Sequence, residues 1–127
     1  MKNILITGGA GLVGTVLTQG LKDKYNVKIL DIKKAEGVES HTGDISNLDS
    51  IMPAFKNIDT VVHLAGDRRV HGEWESILDN NIIGLYNIYE AARLSGVKRV
   101  IFASSQHATG GFYDVEPYSF ISKGEFE

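Results

Sequence analysis

Three glycines stand at intervals of three residues near the start of the chain, within residues 7–14, TGGAGLVG. Gly8 allows a sharp turn after a strand, Gly11 leaves room for a pyrophosphate against the backbone, and Gly14 lets a helix pack closely on that strand. The first turn of such a helix offers free N–H groups and a partial positive charge to phosphate oxygens. The spacing therefore predicts a pyrophosphate-binding turn made of Gly8, Gly11, Leu12, Val13 and Gly14.

Asp31 follows Gly11 by twenty residues. An acid at this distance from a glycine turn can accept hydrogen bonds from both hydroxyls of a ribose, which predicts a nicotinamide dinucleotide as ligand. The alternative is a tight turn with an unrelated surface aspartate. A carboxylate here repels the 2′-phosphate of NADP and favours NAD, although the positive charges of Lys33 and Lys34 would soften that repulsion.

The elements that must position these residues alternate between strands and helices. Apolar and β-branched runs predict strands over residues 3–7, 26–32, 38–41, 59–65 and 99–104. Helical spacing predicts helices over 12–24, over 47–56 with Ser46 as its cap and Pro53 weakening it, and over 74–95 with Gly96 ending it. Alternating strands and helices form parallel, right-handed βαβ units. We therefore predict an α/β fold, a Rossmann-type doubly wound parallel sheet of five strands in order 3-2-1-4-5, as a single domain over residues 1–127.

The composition argues against several other classes of protein. The chain has 127 residues, of which 43% are apolar, with a net charge of −3 and no cysteine. These values offer no basic surface for nucleic acid, no disulfide framework and no thiolate chemistry. The four histidines, at positions 41, 63, 71 and 107, lack metal-ligand spacing. No apolar run reaches the roughly 20 residues of a membrane span and no signal peptide is recognisable, so we expect a cytoplasmic protein without a metal.

Further motifs extend the glycine turn and Asp31 into a longer pattern. They are GDI at residues 43–45, HLAG at 63–66, NIIG at 81–84 and SS at 104–105. This combination resembles the extended short-chain dehydrogenase/reductase family, which includes NAD-dependent sugar epimerases and dehydratases. Residues 80–93 (NNIIGLYNIYEAAR) and 102–107 (FASSQH) resemble uronate dehydrogenases in particular. The resemblance extends from residue 1 to about residue 110.

The resemblance implies roles for individual residues. Asp44 and Ile45 would lie at the adenine, and Leu64, Ala65 and Gly66 would pass under the dinucleotide. Asn81 would hold a water in a proton relay, and Ser105 would polarise the substrate at its reacting oxygen. Each polar residue has an alternative: Asp44 could cap a helix, Asn81 could be a buried residue with satisfied hydrogen bonds, and Ser105 could be an ordinary serine. His63 is expected to be a core histidine, and His107 is a weaker candidate for substrate contact.

The family's catalytic tyrosine and lysine, four residues apart on one helix, are not reproduced here. Lys123 is the candidate lysine, but Ser119 stands four residues before it and Tyr118 five residues before it. In a helix, five residues place Tyr118 and Lys123 about 140° apart. Tyr113 is ten residues away from Lys123. We therefore interpret residues 119–123 as a degraded catalytic site, in which Tyr118 is the only plausible base.

Three functions remain open at this point. The first is an NAD-binding unit that is catalytically incomplete alone, because the carboxy-terminal substrate region of the family is expected to be absent. The second is a sugar dehydrogenase, epimerase or dehydratase completed by another chain. The third is a folded remnant without activity. In addition, we expect a homo-oligomer formed through the 74–95 helix, around Leu85, Ile88, Tyr89 and Ala92, where family members commonly form dimers.

Overall fold

A parallel sheet of five strands forms the centre of the computed structural model, which describes residues 1–69, 71–105, 108 and 115–116. The strands are β1 (Asn3–Thr7), β2 (Asn26–Asp31), β3 (Glu39–Thr42), β4 (Thr60–His63) and β5 (Arg99–Phe102). Their order is β3-β2-β1-β4-β5, so the predicted topology is confirmed. The predicted strands match these to within about two residues at their ends.

Helices connect the strands. They are α1 (Leu12–Leu21), α2 (Leu48–Ile51), α3 (Trp74–Ile77) and α4 (Gly84–Leu94). A 3₁₀ turn, Met52–Phe55, continues α2 from Pro53 onward, and a π-helical turn, Leu78–Ile83, joins α3 to α4. The predicted helix over 74–95 is therefore three successive segments. Its end is as predicted, because Gly96 follows it with φ +70°.

Two apolar layers cover the two faces of the sheet. On one face, β1, β2 and β4 pack against α2, the 3₁₀ turn and α4, with the core residues Leu5, Leu30, Ile51, Phe55, Val61, Ile88 and Ala91. On the other face, a smaller cluster of Ile4, Ile6, Val27 and Val62 packs against Leu17 and Leu21 of α1. This arrangement follows from right-handed crossovers, because the chain moves in one direction along the sheet from β1 to β3 and in the other direction from β3 to β5, which places the connecting helices on opposite faces.

Helix α1 has the predicted helical spacing, its buried positions are Gly14 and Thr18, and Leu12, Val13 and Val16 are exposed. The predicted cap of α2 was wrong. The cap of α2 is Asn47, whose side chain accepts a hydrogen bond from Ser50 N at 3.2 Å. Ser46 instead donates to Asp44, so its hydroxyl closes the preceding turn.

Candidate functional site

A cleft of about 800 Å³ lies beyond the carboxyl ends of β1, β2, β3 and β4. Ligands of doubly wound sheets bind at this edge. Ten of the eleven residues that the sequence assigned to a cofactor line the cleft, namely Gly8, Gly11, Leu12, Val13, Gly14, Asp31, Ile45, Leu64, Ala65 and Gly66. The exception is Asp44.

The glycine turn allows a very close approach of backbone to backbone. Gly8 has φ +71°, and a Cβ there would lie 2.8 Å from Ala65 N. A Cβ on Gly14 would lie 2.5 Å from Gly8 O and from Gly9 Cα, so its close neighbour is the turn itself and not the strand as we expected. A Cβ on Gly11 would meet only Gly8 O, at 3.2 Å. The fold therefore demands glycine at positions 8 and 14 more strongly than at 11, and a ligand against the backbone explains the third glycine.

The start of α1 is open toward the cleft. Gly11 is its N-cap and supplies no side-chain hydrogen bond. The first N–H groups of a helix lack partners within the helix, and here no cap replaces them. Together with the helix dipole, these groups suit the oxygens of a pyrophosphate.

Asp31, the last residue of β2, lies against the glycine turn. Its Oδ2 accepts a hydrogen bond from Ala10 N at 3.0 Å, and its Oδ1 accepts one from Lys33 N at 3.1 Å. Both bonds orient the carboxylate at the rim of the cleft, where Lys33 is also a lining residue. A charged acceptor held by backbone donors is preorganised for a ribose diol.

The segment after β3 reaches the cleft through Ile45, which is 6% exposed. Asn87 of α4, itself buried, donates from Nδ2 to Ile45 O at 2.8 Å. Gly84 lets the side chain of Ile45 pack closely on α4, because a Cβ at position 84 would lie 2.6 Å from Ile45 Cδ1. Sequence reasoning missed Asn87, although the small residues Gly84, Ala91 and Ala92 mark the face of α4 that approaches the fold closely.

Asp44 does not cap the following helix, α2. Its Oδ1 accepts hydrogen bonds from Ser46 N at 2.9 Å and from Ser46 Oγ at 2.8 Å. The carboxylate is exposed, and the predicted contact with adenine stays a prediction.

Asn81 lies in the π-helical turn and ties it to the segment after β4. Its Oδ1 accepts from Asp67 N at 2.7 Å, and its Nδ2 donates to Asp67 O at 2.8 Å. These contacts fit the alternative that the sequence left open for Asn81, a polar residue with satisfied hydrogen bonds. The oxygen and the nitrogen of the Asn81 amide can each make one further hydrogen bond, so a water-holding role stays a prediction. π-helical turns are rare and are frequently found at functional sites.

A carboxylate network that the sequence did not indicate stands beside Asn81. Asp67, whose side chain is 7% exposed, pairs with Arg69, and its Oδ2 accepts from Ser76 Oγ at 2.6 Å. The hydrogen bonds of Arg69 and Ser76 hold the pKa of Asp67 well below its usual range. The conformation of the segment after β4 brings Asp67 and Arg69 to Ser76 of α3, and no motif spacing reveals this contact.

A second cleft, of about 620 Å³, adjoins the first and shares residues 64–69 and Asn80 with it. Asn81, Ser105 and Phe102 line it, so two of the predicted catalytic residues face the same space. His63 also contributes to its wall, with Nδ1 2.6 Å from Thr7 Oγ1 and its ring stacked on Phe102 at 5.5 Å. Burial lowers the pKa of His63 to about 4, as expected of a core histidine. Tyr118, Lys123, Ser119, Tyr113 and His107 lie outside the described residues.

The described residues contain no group of three or more histidine, aspartate or glutamate side chains that could hold a metal ion. Likewise, none of the helices in the described part of the chain is long and apolar enough to cross a membrane.

The fold and the first cleft define a dinucleotide-binding α/β protein. The chain belongs to the NAD dependent epimerase/dehydratase family, whose model matches residues 4–123. This membership confirms the family that the sequence motifs indicated. It also confirms the cofactor at the level of the family, since the family is described by its dependence on NAD.

Individual relatives are sugar dehydrogenases. The chain is 40% identical over 116 residues to uronate dehydrogenase of Pseudomonas putida and 37% identical over 107 residues to L-arabinose 1-dehydrogenase (NAD(P)(+)) of Haloferax volcanii. These alignments cover 87% and 84% of this chain, and the chain spans 42% of each relative's length. A crystal structure of uronate dehydrogenase from Agrobacterium tumefaciens, in complex with NAD, matches 84% of the chain with a TM-score of 0.77 and 37% identity. The chain covers 42% of that structure.

Proposed function

We propose that this chain is the NAD-binding portion of an oxidoreductase that acts on a sugar. The single observation that carries the proposal is the first cleft, in which the glycine turn, the open start of α1 and the oriented carboxylate of Asp31 meet. The pyrophosphate would lie against Gly11 and the first turn of α1, and the adenosine ribose would lie at Asp31. Ile45 would border the adenine, and Leu64, Ala65 and Gly66 would lie beneath the dinucleotide.

NAD is the preferred dinucleotide in this proposal. Asp31 presents a negative charge where NADP carries its 2′-phosphate, and backbone hydrogen bonds keep that carboxylate at the rim. Lys33 also lines the cleft, so some NADP binding is expected, weaker than that of NAD.

NAD supplies a hydride acceptor when bound. The chain's own contribution is to orient that ligand and to border a neighbouring space for the substrate. Ser105 and Asn81 line the second cleft, where a hydroxyl and an amide can hydrogen-bond a sugar. Tyr118 and Lys123 stay predictions as base and supporting cation, and with Ser119 in the family's tyrosine position we expect the chain alone to turn over slowly or not at all.

The substrate class rests on the relatives. Their names describe oxidation of L-arabinose and of uronates, so a free monosaccharide is the substrate we propose. A folded protein without dinucleotide binding is the second candidate, and the experiment below separates the two. The cytoplasmic location stays a prediction.

We also propose that a second copy of the chain binds along α4. The residues at this interface differ in part from those that the sequence predicted. Ile88 and Ala92 belong to the core, and Leu85 lines the second cleft. Tyr89 is exposed as the interface requires, and other exposed apolar residues of this stretch include Ile82, Tyr86 and Leu94.

The test is calorimetric titration of NAD and NADP into the wild-type chain and into Asp31→Ala. We expect NAD to bind with a micromolar dissociation constant, about −8 kcal/mol, and NADP to bind more weakly. In Asp31→Ala, NAD binding should weaken by about tenfold, which corresponds to the loss of charge-assisted hydrogen bonds to the ribose.

Two further variants make the result specific. Asp31→Asn keeps an acceptor for Ala10 N but loses the charge, so it should narrow the preference for NAD over NADP. Asp23→Ala removes an exposed acid just after α1 and should leave both affinities unchanged. If the wild-type chain binds neither dinucleotide, the glycine turn is structural only and the proposal fails.

A further inference from the structure

Arg68 occupies the segment that separates the two clefts, and it lines both of them. Its side chain is exposed. Within the described residues it makes no hydrogen bond and no ion pair. Its charge is therefore free to meet a ligand at the boundary between the cofactor space and the second cleft.

The neighbouring Arg69 shows the contrast. Its Nε lies 2.9 Å from Asp67 Oδ1 and 3.0 Å from Oδ2, and its backbone N–H also donates to Asp67 Oδ1. Ser76 donates to the same carboxylate, and the side chain of Asn81 hydrogen-bonds both the backbone N–H and the backbone carbonyl of Asp67. Asp67 and Arg69 thus neutralise each other, and the carboxylate has little capacity left for Arg68.

The charge of the second cleft follows from this pairing. Its ionisable lining residues, within the described part of the chain, are His63, Asp67, Arg68 and Arg69. His63 is neutral near pH 7, because burial lowers its pKa to about 4. The Asp67–Arg69 pair contributes no net charge, so Arg68 alone gives this wall a charge of +1.

We propose that Arg68 binds an anionic group of the sugar, a carboxylate or a phosphate, in the second cleft. A guanidinium group presents a planar fork of donors that matches both anions in a bidentate way. The hydroxyls of a neutral sugar can accept hydrogen bonds from a guanidinium, but they carry no charge to pair with it. This proposal rests on the function proposed above and makes it narrower, since it selects acidic monosaccharides over neutral ones.

The pyrophosphate of NAD is the other anion within reach of this boundary. The glycine turn and the start of α1 already offer it backbone donors in the first cleft. Arg68 instead shares the second cleft with Ser105 and Asn81, the residues suited to a sugar. For these reasons the sugar is the source of the anion that we favour.

The experiment measures binding and does not need turnover. D-Glucuronate, glucose 6-phosphate, glucose and L-arabinose are titrated into the NAD-saturated chain, with wild type, Arg68→Gln, Arg68→Lys and Arg93→Gln compared. Wild type should bind at least one of the two acids about tenfold more tightly than glucose, the size of a charge-assisted contact. Arg68→Gln should lose that preference without changing the affinity for neutral sugars, and Arg68→Lys should retain part of it. Arg93→Gln, at an exposed position of α4, should match wild type.

The possible failures are distinguishable. If NAD does not bind to wild type, the proposed function fails before any sugar is added. If NAD binds but the acids bind no better than glucose, or if Arg68→Gln keeps the preference, Arg68 does not bind the sugar. If Arg68→Gln weakens NAD about tenfold while the sugar preference persists, Arg68 serves the pyrophosphate and the proposal is overturned.

Discussion

His63 combines a polar ring with a nearly complete loss of solvent contact, at 1% exposure. Its position in β4 places it between Thr7 of β1 and Phe102 of β5, so its ring fills space in the sheet layer. A buried imidazole resists protonation, because the charged form loses its hydration. His63 is therefore a structural residue whose protonation works against the fold.

We predict that His63 makes stability depend on pH below neutrality. Its pKa is about 4 in the folded chain and 6.5 as the ordinary value, so the unfolded state binds more protons between those pH values. The free energy of unfolding should therefore fall by about 2 kcal/mol from pH 7 to pH 5 on this account. Urea unfolding at several pH values would measure the slope.

Two variants test whether His63 causes this pH dependence of the free energy of unfolding. His63→Gln should flatten it, whereas Phe102→Leu removes the stacked ring but keeps the histidine and should retain it. The carboxylates with lowered pKa, including Asp59 and Asp67, lose their contribution only at lower pH, since their ordinary value is 3.8. An unchanged slope in His63→Gln would show that other groups cause the dependence.

At the scale of single residues, spacing along the chain indicated the glycine turn and Asp31. Each of these spacings has its own geometric requirement. Asp67, Ser76 and Arg68 show no such spacing, since the path of the loop after β4 decides which of these side chains pair. The pairing of Arg69 rather than Arg68 with Asp67 could not be inferred from two adjacent arginines.

At the scale of elements, α4 does more than cover the sheet. Ile88, Ala91 and Ala92 enter the core, while Gly84 and Asn87 hold the segment that carries Ile45. The π-helical turn before α4 places Asn81 over the segment after β4. One continuous helical stretch thus fixes the walls of both clefts.

Replacing Asn87 by Leu should disturb the first cleft from a distance. The carbonyl of Ile45 would lose its donor in a buried position, at a cost of about 1–3 kcal/mol. NAD affinity should fall as well, because Ile45 lines the cleft. Thermal unfolding and NAD titration would be measured together. Arg93→Gln, which breaks an exposed pair with Glu90 on the same helix, should change neither; an Asn87→Leu chain with normal NAD binding would contradict the positioning role.

Periodicity predicted the helices of this chain better than it predicted their faces. Leu12 and Val13, which the sequence assigned to the pyrophosphate-binding turn, line the first cleft, and the buried positions of α1 are the small Gly14 and Thr18. Along residues 74–95, a π-helical turn interrupts the regular helix, and Ile88 and Ala92, which we expected at a dimer surface, lie in the core. A fixed period of 3.6 residues cannot anticipate such a change.

At the scale of the whole molecule, connection length and handedness determined the topology. Right-handed crossovers left one plausible strand order, and the sheet has it. The same order places the ends of β1, β2 and β4 at one edge, which is why residues far apart in sequence meet in one cleft.

The exposed apolar surface of the molecule predicts self-association. Ile82, Tyr86 and Tyr89 are 49%, 66% and 46% exposed and lie at helical spacing on one stretch. Apolar clusters on a protein surface commonly mark contacts with a partner. We expect the wild-type chain to sediment as a dimer at tens of micromolar, and the double variant Tyr86→Glu, Tyr89→Glu to sediment as a monomer, because burying unpaired carboxylates is unfavourable. Val16→Glu introduces the same charge on exposed α1 and should leave the dimer intact. A monomeric wild type would refute the interface, and a dimer that Val16→Glu breaks and the double variant does not would place it on the opposite face of the sheet.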